Sequence, residues 1–170
     1  MKARLPLFLL ALLCLAPALR ADDLDAFRAD ALKQINAFRQ EQGKGAVKLD
    51  PTLNGTALDW AKHLTGVGQM VHRDRSSLRA LLHENAWTSI NENLFQSRPA
   101  SAASTVVTAW KNSPVHRANL LQDNIDRIGL GTAVSGEGWF YAVFNGAGVA
   151  AKRGFSLGDK LGLGGEYTGP

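Results

Sequence analysis

The stretch that decides the fold is Trp110–Leu121, which reads WKNSPVHRANLL. Proline fixes its own φ angle and disfavours a helical conformation in the residue before it, so a helix in the first half of this stretch should end by Ser113. Pro114 suits the first position of a second short helix, with Ser113 as its N-cap. The stretch therefore predicts two helices that meet at a sharp turn, with His116 and Arg117 at the start of the second.

Length and composition indicate one domain with a core of its own. The chain has 170 residues, of which 45% are hydrophobic and 20% are charged. Both fractions are close to those of ordinary globular proteins, and the length leaves little room for a second domain.

The first 21 residues predict a secretory signal peptide. Lys2 and Arg4 give a basic start, residues 5–15 are apolar, and residues 16–21 offer cleavage sites with small side chains. The apolar run is shorter than the roughly 20 residues that a membrane-spanning helix needs, and no later segment approaches that length. We therefore expect an exported mature chain, periplasmic or extracellular, without a transmembrane segment.

The mature chain is expected to contain no thiol and to be nearly neutral. Cys14 is the single cysteine and lies inside the predicted signal peptide. Removing residues 1–21 also removes three basic residues, which lowers the formal net charge from +4 to +1. This charge gives no basis for nucleic-acid binding. The one cationic stretch, Arg73–Arg79, contains Asp74 and no aromatic residue, and it predicts a solvated loop.

Three longer helices are predicted where apolar residues recur every three or four positions. The first covers residues 24–38. The second begins at Asp50-Pro51, a cap followed by a proline in the first helical position, and ends by Gly68. The third follows Ser101 and leads into the opening stretch. Short helical turns are expected over residues 77–85.

The strands are predicted mostly after the helices. Residues 88–95 have the alternation of a strand in which Glu92 shares a face with apolar residues. Two more strands, residues 125–133 and 139–145, flank a glycine-rich hairpin turn. This order predicts an α+β domain with helices packed on an antiparallel sheet. The final segment, residues 151–170, contains six glycines and predicts a mostly irregular extension.

Seven short segments occur in order along the chain. They are Ile35-Asn36-x-x-Arg39-x-x-x-Gly43, Leu49-x-x-x-Leu53, Ala57-x-x-Trp60-Ala61, an isolated His72, Glu92-Asn93-Leu94, Trp110-x-Asn112-Ser113-Pro114-x-His116-Arg117-x-Asn119-Leu120-Leu121 and Ile128-Gly129-x-Gly131. Together they resemble the CAP superfamily, which comprises cysteine-rich secretory proteins, antigen 5 and pathogenesis-related 1 proteins. The cysteine-free pattern is similar to its bacterial branch.

The resemblance implies a three-layer α-β-α sandwich with a small central antiparallel sheet, over residues 22–150. It also implies a cleft that in many members holds two histidines and two acidic residues, and whose histidines can bind a divalent metal. By position, His72 and His116 match the two histidines and Glu92 matches the first acid. The second acid, expected near Ser113, is absent from this chain.

His72, Glu92 and His116 are therefore the predicted catalytic residues, and the two histidines are the predicted metal ligands. Two imidazoles and one carboxylate could supply three ligands to Zn²⁺ or another divalent metal and leave one position open. A water bound there could become a nucleophile. The alternative is that the histidines are ordinary hydrogen-bonded residues of a groove and that Glu92 pairs with one of them or with Arg117. The side chains predicted to line the cleft beside them are Asn93, Ser113 and Arg117.

Three functions are compatible with these residues. The first is an exported binding module for a small apolar or envelope-derived ligand, with or without a metal. The second is a metal-assisted hydrolase of peptide or cell-wall material, in which Glu92 acts as base or ligand. The third is a non-catalytic interaction module that meets a protein partner. The missing second acid favours the first, because proton transfer in the hydrolase would depend on Glu92 alone.

Overall fold

Five helices and four strands form the part of the chain, residues 21–149, that the computed structural model describes. The predicted signal peptide, apart from its last residue, and the predicted C-terminal extension lie outside the described residues. In chain order the elements are α1 (Ala21–Glu41), β1 (Lys48–Leu49), α2 (Pro51–Val67), α3 (Arg75–Glu84), β2 (Trp87–Ser97), α4 (Ala103–Asn112), α5 (Pro114–Leu120), β3 (Arg127–Val134) and β4 (Phe140–Val149).

The ends of α2 follow the predicted signals. The Asp50 carboxylate accepts hydrogen bonds from the backbone N–H groups of Thr52 and Leu53 at 3.0 and 3.1 Å, which caps the helix. Gly68 ends the helix with a φ angle of 71°, a left-handed conformation that glycine adopts without steric cost. Both boundaries of the predicted second helix are therefore confirmed.

The turn at Ser113 is confirmed, but its predicted cap is not. Helix α4 ends at Asn112 and α5 begins at Pro114. Ser113 occupies the N-cap position with an extended backbone, yet its side chain makes no capping hydrogen bond. The break between the helices therefore rests on the proline and not on the serine hydroxyl.

The sheet has the strand order β1-β3-β4-β2. The three long strands are antiparallel neighbours, as predicted, and β3 and β4 form the predicted hairpin. The two-residue β1 adds a parallel pair at the edge of β3, where Lys48 pairs with Arg127 and Leu49 with Ile128. The sheet is therefore mixed, because of a strand too short to produce alternation in the sequence.

Helices cover both faces of this sheet, which gives three layers. On one face, α1 and α4 pack through Ile35, Val106 and Trp110 against Phe144 of β4. On the other face, small side chains of α2 pack against the alternate positions of β2 and β4. The buried residues of this second cluster are Ala57, Ala61, Leu64, Leu94, Tyr141 and Val143. The predicted α+β sandwich is confirmed.

Two glycines of β3 set the distance between the sheet and α2. A Cβ atom on Gly129 would lie 2.1 Å from the carbonyl carbon of Leu53, and one on Gly131 would lie 2.2 Å from the backbone nitrogen of Leu58. Such contacts are far inside van der Waals distance. Only glycine therefore lets the α2 backbone rest directly on β3.

The predicted helical turns before β2 form the complete helix α3. The Asp74 carboxylate accepts a hydrogen bond from the backbone N–H of Ser77 at 2.9 Å, so this residue caps the helix. No side chain of α3 is fully buried, although Leu81 and Leu82 pack partly against Trp87. Across residues 21–149, no helix combines the length and the apolar character needed to cross a membrane.

Candidate functional site

The middle of β2 sends polar side chains to both faces of the sheet. Successive side chains of a strand alternate in direction, so Glu92 points to the α2 side while Asn91 and Asn93 point to the α5 side. All three residues are buried. The alternation that the sequence predicted for Glu92 is therefore present in the structure.

Glu92 is enclosed, and both of its carboxylate oxygens have neighbours within the chain. Its side chain is 2% exposed. Oε1 lies 2.9 Å from His72 Nδ1 and accepts a hydrogen bond from the backbone N–H of Arg73 at 3.1 Å. Oε2 lies 3.7 Å from Arg73 Nε and 3.5 Å from Asn145 Nδ2. The carboxylate thus faces the interior and the loop before α3, and it pairs with His72 and not with Arg117.

The carboxylate fixes the orientation of the His72 ring. Because Oε1 of ionised Glu92 can only accept, His72 Nδ1 carries a proton and Nε2 is the ring nitrogen left for another partner. The His72 side chain is 59% exposed. A buried carboxylate that orients an exposed imidazole is a common arrangement where histidine binds a ligand or a metal.

His116 is the third residue of α5, and it is half-buried. Its backbone carbonyl accepts a hydrogen bond from Asn93 Nδ2 at 3.0 Å. Burial lowers the pKa of His116, and the nearby His72 lowers it further. His116 is therefore harder to protonate than a free histidine, in part because of His72.

The other two residues predicted to line the cleft differ in position. Ser113 lies half-buried at the joint between α4 and α5. Arg117 contacts α1: its Nη2 donates to Gln42 Oε1 at 3.0 Å, and its guanidinium carbon is 5.2 Å from the Phe38 ring centroid, while its place in the lining of the cleft stays a prediction. Successive residues of an α-helix point about 100° apart, so His116 and Arg117 leave α5 in different directions.

Arg73 is the site residue that the sequence analysis missed. The charge pattern predicts a solvated loop at this position, but the Arg73 side chain is only 14% exposed. Its Nη2 donates to the backbone oxygen of Thr56, and its guanidinium carbon lies 4.6 Å from the Trp60 ring centroid. Burial lowers the pKa of Arg73, while the negative charges of Glu92 and Asp59 raise it. An arginine remains charged in proteins, so this residue places a fixed cation beside Glu92.

The two predicted metal ligands and Glu92 differ in exposure and in partners. Within the described part of the chain, no three histidine, cysteine, aspartate or glutamate side chains are grouped to hold a metal ion. The His72 side chain is exposed and His116 is half-buried, whereas Glu92 is buried and lies beside Arg73.

Exposed apolar side chains accompany both histidines. Four large hydrophobic residues are exposed in the described chain, at 37% to 72% of their surface. Three of them lie within the five positions before His72, and the fourth immediately precedes His116. These residues are Val67, Met70, Val71 and Val115.

A separate pocket of about 220 Å³ lies at the C-terminal end of α2, beside the β3–β4 hairpin. Its walls include Gly66 and Gly68 from the helix and Glu137, Trp139 and Tyr141 from the hairpin side. None of the predicted site residues lines this pocket. Tyr141 and Trp139 of its wall belong to the cluster packed against α2. Because neither His72 nor His116 lines the pocket, it is distinct from the pair of histidines.

Comparisons with known proteins agree with this architecture. A family model described as the cysteine-rich secretory protein family, CAP, matches residues 32–145. A curated relative, the uncharacterized protein YkwD of Bacillus subtilis, is 27% identical over 124 residues, which cover 68% of this chain and 46% of the relative. The chain thus spans about half the length of that relative.

Solved structures share the fold at low identity. An outer surface protein of Borrelia burgdorferi superposes with a TM-score of 0.66 and 20% identity, over 75% of this chain and 96% of the other. A cysteine-rich secretory protein of Staphylococcus aureus gives a TM-score of 0.59 with 19% identity, over 75% of this chain and 40% of the other. An extracellular protein of Bacillus anthracis with an SCP domain gives a TM-score of 0.59 with 18% identity, over 76% of this chain and 44% of the other.

Proposed function

Because the chain belongs to the CAP family of cysteine-rich secretory proteins, we propose that it is an exported binding module. The proposed ligand is a small apolar or envelope-derived amphiphile, held between the loop that carries His72 and the start of α5. An amphiphile of this kind would place its apolar part on the exposed valines and methionine and its polar end beside the two imidazoles.

The observation that carries this proposal is the position of the exposed apolar residues. Single exposed apolar side chains are common and need no explanation. Here, however, Val71 directly precedes His72 and Val115 directly precedes His116, and these are half of the large apolar residues that the described chain exposes. The electrostatic influence of His72 on His116 supports a shared site for the two flanks.

Export is part of the proposal. It is supported by the basic start, apolar centre and small residues of the first 21 positions. It is also supported by the similar structure from Bacillus anthracis, which is described as an extracellular protein. The periplasm and the medium are both compatible with these features.

The geometry supports a positioning role for Glu92 better than a role as general base. A base must reach the proton that it removes, directly or through one water molecule. The Glu92 side chain is 2% exposed, and its oxygens face His72, Arg73 and Asn145. The assignment of His72, Glu92 and His116 as catalytic residues stays a prediction, and a binding function uses the same three residues without requiring chemistry from the buried acid.

Extraction of the native protein tests the proposal. The full-length chain would be expressed in a bacterial host, and the processed protein purified from the export compartment without detergent. Organic extraction followed by mass spectrometry should recover an amphiphile in a stoichiometric amount. An equal preparation of Val71→Ser/Val115→Ser should recover at least about tenfold less, since polar substitution removes apolar contact from both flanks. Equal recovery from both proteins, or none from the first, would overturn the proposal.

A further inference from the structure

The pocket beside the β3–β4 hairpin has one wall made from the carboxyl-terminal end of α2. A helix carries a partial negative charge at this end, because its last carbonyl groups have no partner within the helix. The last turn of α2 contains no basic side chain that would offset this charge. Gly68 N–H donates to the Leu64 oxygen at 2.9 Å, but the carbonyl oxygens of Thr65 and Gly66 accept no hydrogen bond from residues 21–149. Both residues line the pocket, so this wall offers free acceptors.

The side chains around the pocket add a negative charge, a further acceptor and an aromatic ring. Glu137 is the charged residue of the wall, and it is exposed and forms no ion pair within the described part of the chain. The Thr65 hydroxyl donates its proton to the Lys62 carbonyl oxygen at 2.7 Å, so its own oxygen is left as an acceptor. Trp139 is half-buried, and the face of an indole ring attracts cations. Together these groups favour a positively charged ligand.

Residues outside the pocket hold its aromatic side in place. Tyr141 is fully buried, and its hydroxyl accepts a hydrogen bond from Gln96 Nε2 at 3.1 Å, so this ring forms a fixed floor. The guanidinium carbon of Arg98 lies 5.9 Å from the Trp139 ring centroid. Arg98 does not line the pocket, so the pocket meets the indole on a side that this guanidinium does not cover. The pocket therefore has a rigid base before any ligand enters.

We propose that this pocket binds a primary ammonium group carried on a short aliphatic chain. Such a group has three N–H donors and no acceptor, which matches a wall of carbonyl, hydroxyl and carboxylate oxygens. Its first methylene groups would lie against Trp139, where the charge also gains from the ring. Ca²⁺ is a poorer match, because it takes about six to eight oxygen ligands, several of them usually carboxylates, whereas this wall supplies the single carboxylate of Glu137. The site is separate from the two histidines, so this inference does not rest on the proposed function.

Titration of the ¹⁵N-labelled processed protein with n-butylammonium chloride tests the proposal. The NMR signal of the Trp139 indole N–H, assigned by its loss in Trp139→Phe, should shift and reach saturation. Butan-1-ol has the same chain without the charge and should give no saturable shift. Nα-acetyl-lysine amide presents the same group as a peptide side chain, so tighter binding of this probe would identify a lysine side chain as the source, and tighter binding of butylammonium a free amine. If neither amine gives a saturable shift, or if butan-1-ol binds as well, the proposal is overturned.

Two glycines of α2 provide a matched pair of variants. A Cβ atom on Gly55 or on Gly66 meets nothing within 4 Å, so both positions accept a side chain, but only Gly66 lines the pocket. Gly66→Arg brings a cation to the wall and should raise the dissociation constant of n-butylammonium at least about tenfold. Gly55→Arg adds the same charge elsewhere on the helix and should change it by less than about twofold. Equal effects of the two variants, with folding checked by circular dichroism, would show that the amine does not bind in this pocket.

Glu137→Gln gives a second readout that does not depend on α2. Glu137 lies on an exposed turn, so the substitution leaves the core untouched. The dissociation constant of n-butylammonium should rise about threefold, because an exposed ion pair contributes modestly to binding. Glu41→Gln, at the exposed end of α1, is the control and should bind like the parent protein. An unchanged affinity in Glu137→Gln would contradict the proposal, and so would displacement of the amine by CaCl₂, since the pocket would then belong to an inorganic cation.

Discussion

The side chain of Asn119 donates a hydrogen bond to Asn93 Oδ1, 2.8 Å away, and also to the backbone oxygen of Glu92 at 3.1 Å. Asn119 belongs to α5, and both acceptors belong to β2. This relationship ties the helix that carries His116 to the strand that carries Glu92, although the two segments are far apart in the sequence.

Asn119→Ala should destabilise the fold by about 1–3 kcal/mol, because it leaves a buried amide oxygen without its donor. Chemical denaturation followed by tryptophan fluorescence measures this free energy of unfolding. The matched control is Asn112→Ala, which removes an exposed amide at the end of α4 and should change the stability by less than about 0.5 kcal/mol. Equal effects of the two substitutions would show that the link between α5 and β2 has no energetic weight.

Gly131→Ala should be among the most damaging single-methyl additions in the chain. The new Cβ would lie 2.2 Å from the backbone nitrogen of Leu58, and backbone cannot move aside as a side chain can. We expect a loss of about 3 kcal/mol or more in unfolding free energy. Gly55→Ala in α2 is the control: its Cβ meets nothing within 4 Å, and alanine should stabilise the helix by about 0.5–1 kcal/mol. A mild effect of Gly131→Ala would mean that α2 does not rest on β3 as described.

The stability of α3 should depend on pH, because the Asp74 carboxylate caps this helix. Hydrogen bonds from Ser76 and Ser77 lower the pKa of Asp74 below its ordinary value of about 3.9. The folded state therefore binds this proton less readily than the unfolded state does, so the stabilisation is complete above about pH 4 and is lost as the pH falls through the lowered pKa. Asp74→Asn keeps a capping side chain but does not titrate, so its helical circular dichroism should fall less between pH 5 and pH 2. An identical acid profile for both proteins would contradict this role.

Val71→Ser/Val115→Ser should weaken binding of a fluorescent long-chain fatty acid without changing the melting temperature. Both side chains are exposed, at 37% and 72% of their surface, so the folded core does not depend on them. We expect the dissociation constant to rise at least about tenfold, because both apolar flanks of the proposed site are lost. Ala29→Ser, on the exposed side of α1, provides the control and should bind like the parent protein. If all three proteins bind the probe alike, the exposed valines do not form its site.

Much of the fold could be predicted from local sequence signals. Asp50-Pro51 and Gly68 gave the limits of α2, and the proline after Ser113 gave the break between α4 and α5. The alternation in β2 also gave the correct face for Glu92. Signals of this kind work because they depend on backbone preferences of neighbouring residues.

The parts that could not be predicted depend on contacts between distant residues. Arg73 turns inward because Trp60 and Glu92, on two other elements, provide a ring face and a carboxylate for it. Arg117 turns toward Phe38 of α1 for a similar reason. Charged residues beside a turn usually face water, so no local pattern separates the largely buried Arg73 from a solvated arginine. The resemblance to the family located His72, His116 and Glu92. It did not reveal that the largely buried Arg73 guanidinium lies beside the Glu92 carboxylate.

The absence of any fully buried side chain in α3 affects the order in which the described domain opens. Amide hydrogens in this helix should exchange with deuterium well before those of α2 and β3, since its release uncovers little apolar surface. Such a partial opening would loosen the segment next to Arg73 and His72 while the sheet stays intact. Access to the interior face of the site would then be limited by the lifetime of one peripheral helix rather than by unfolding of the whole domain.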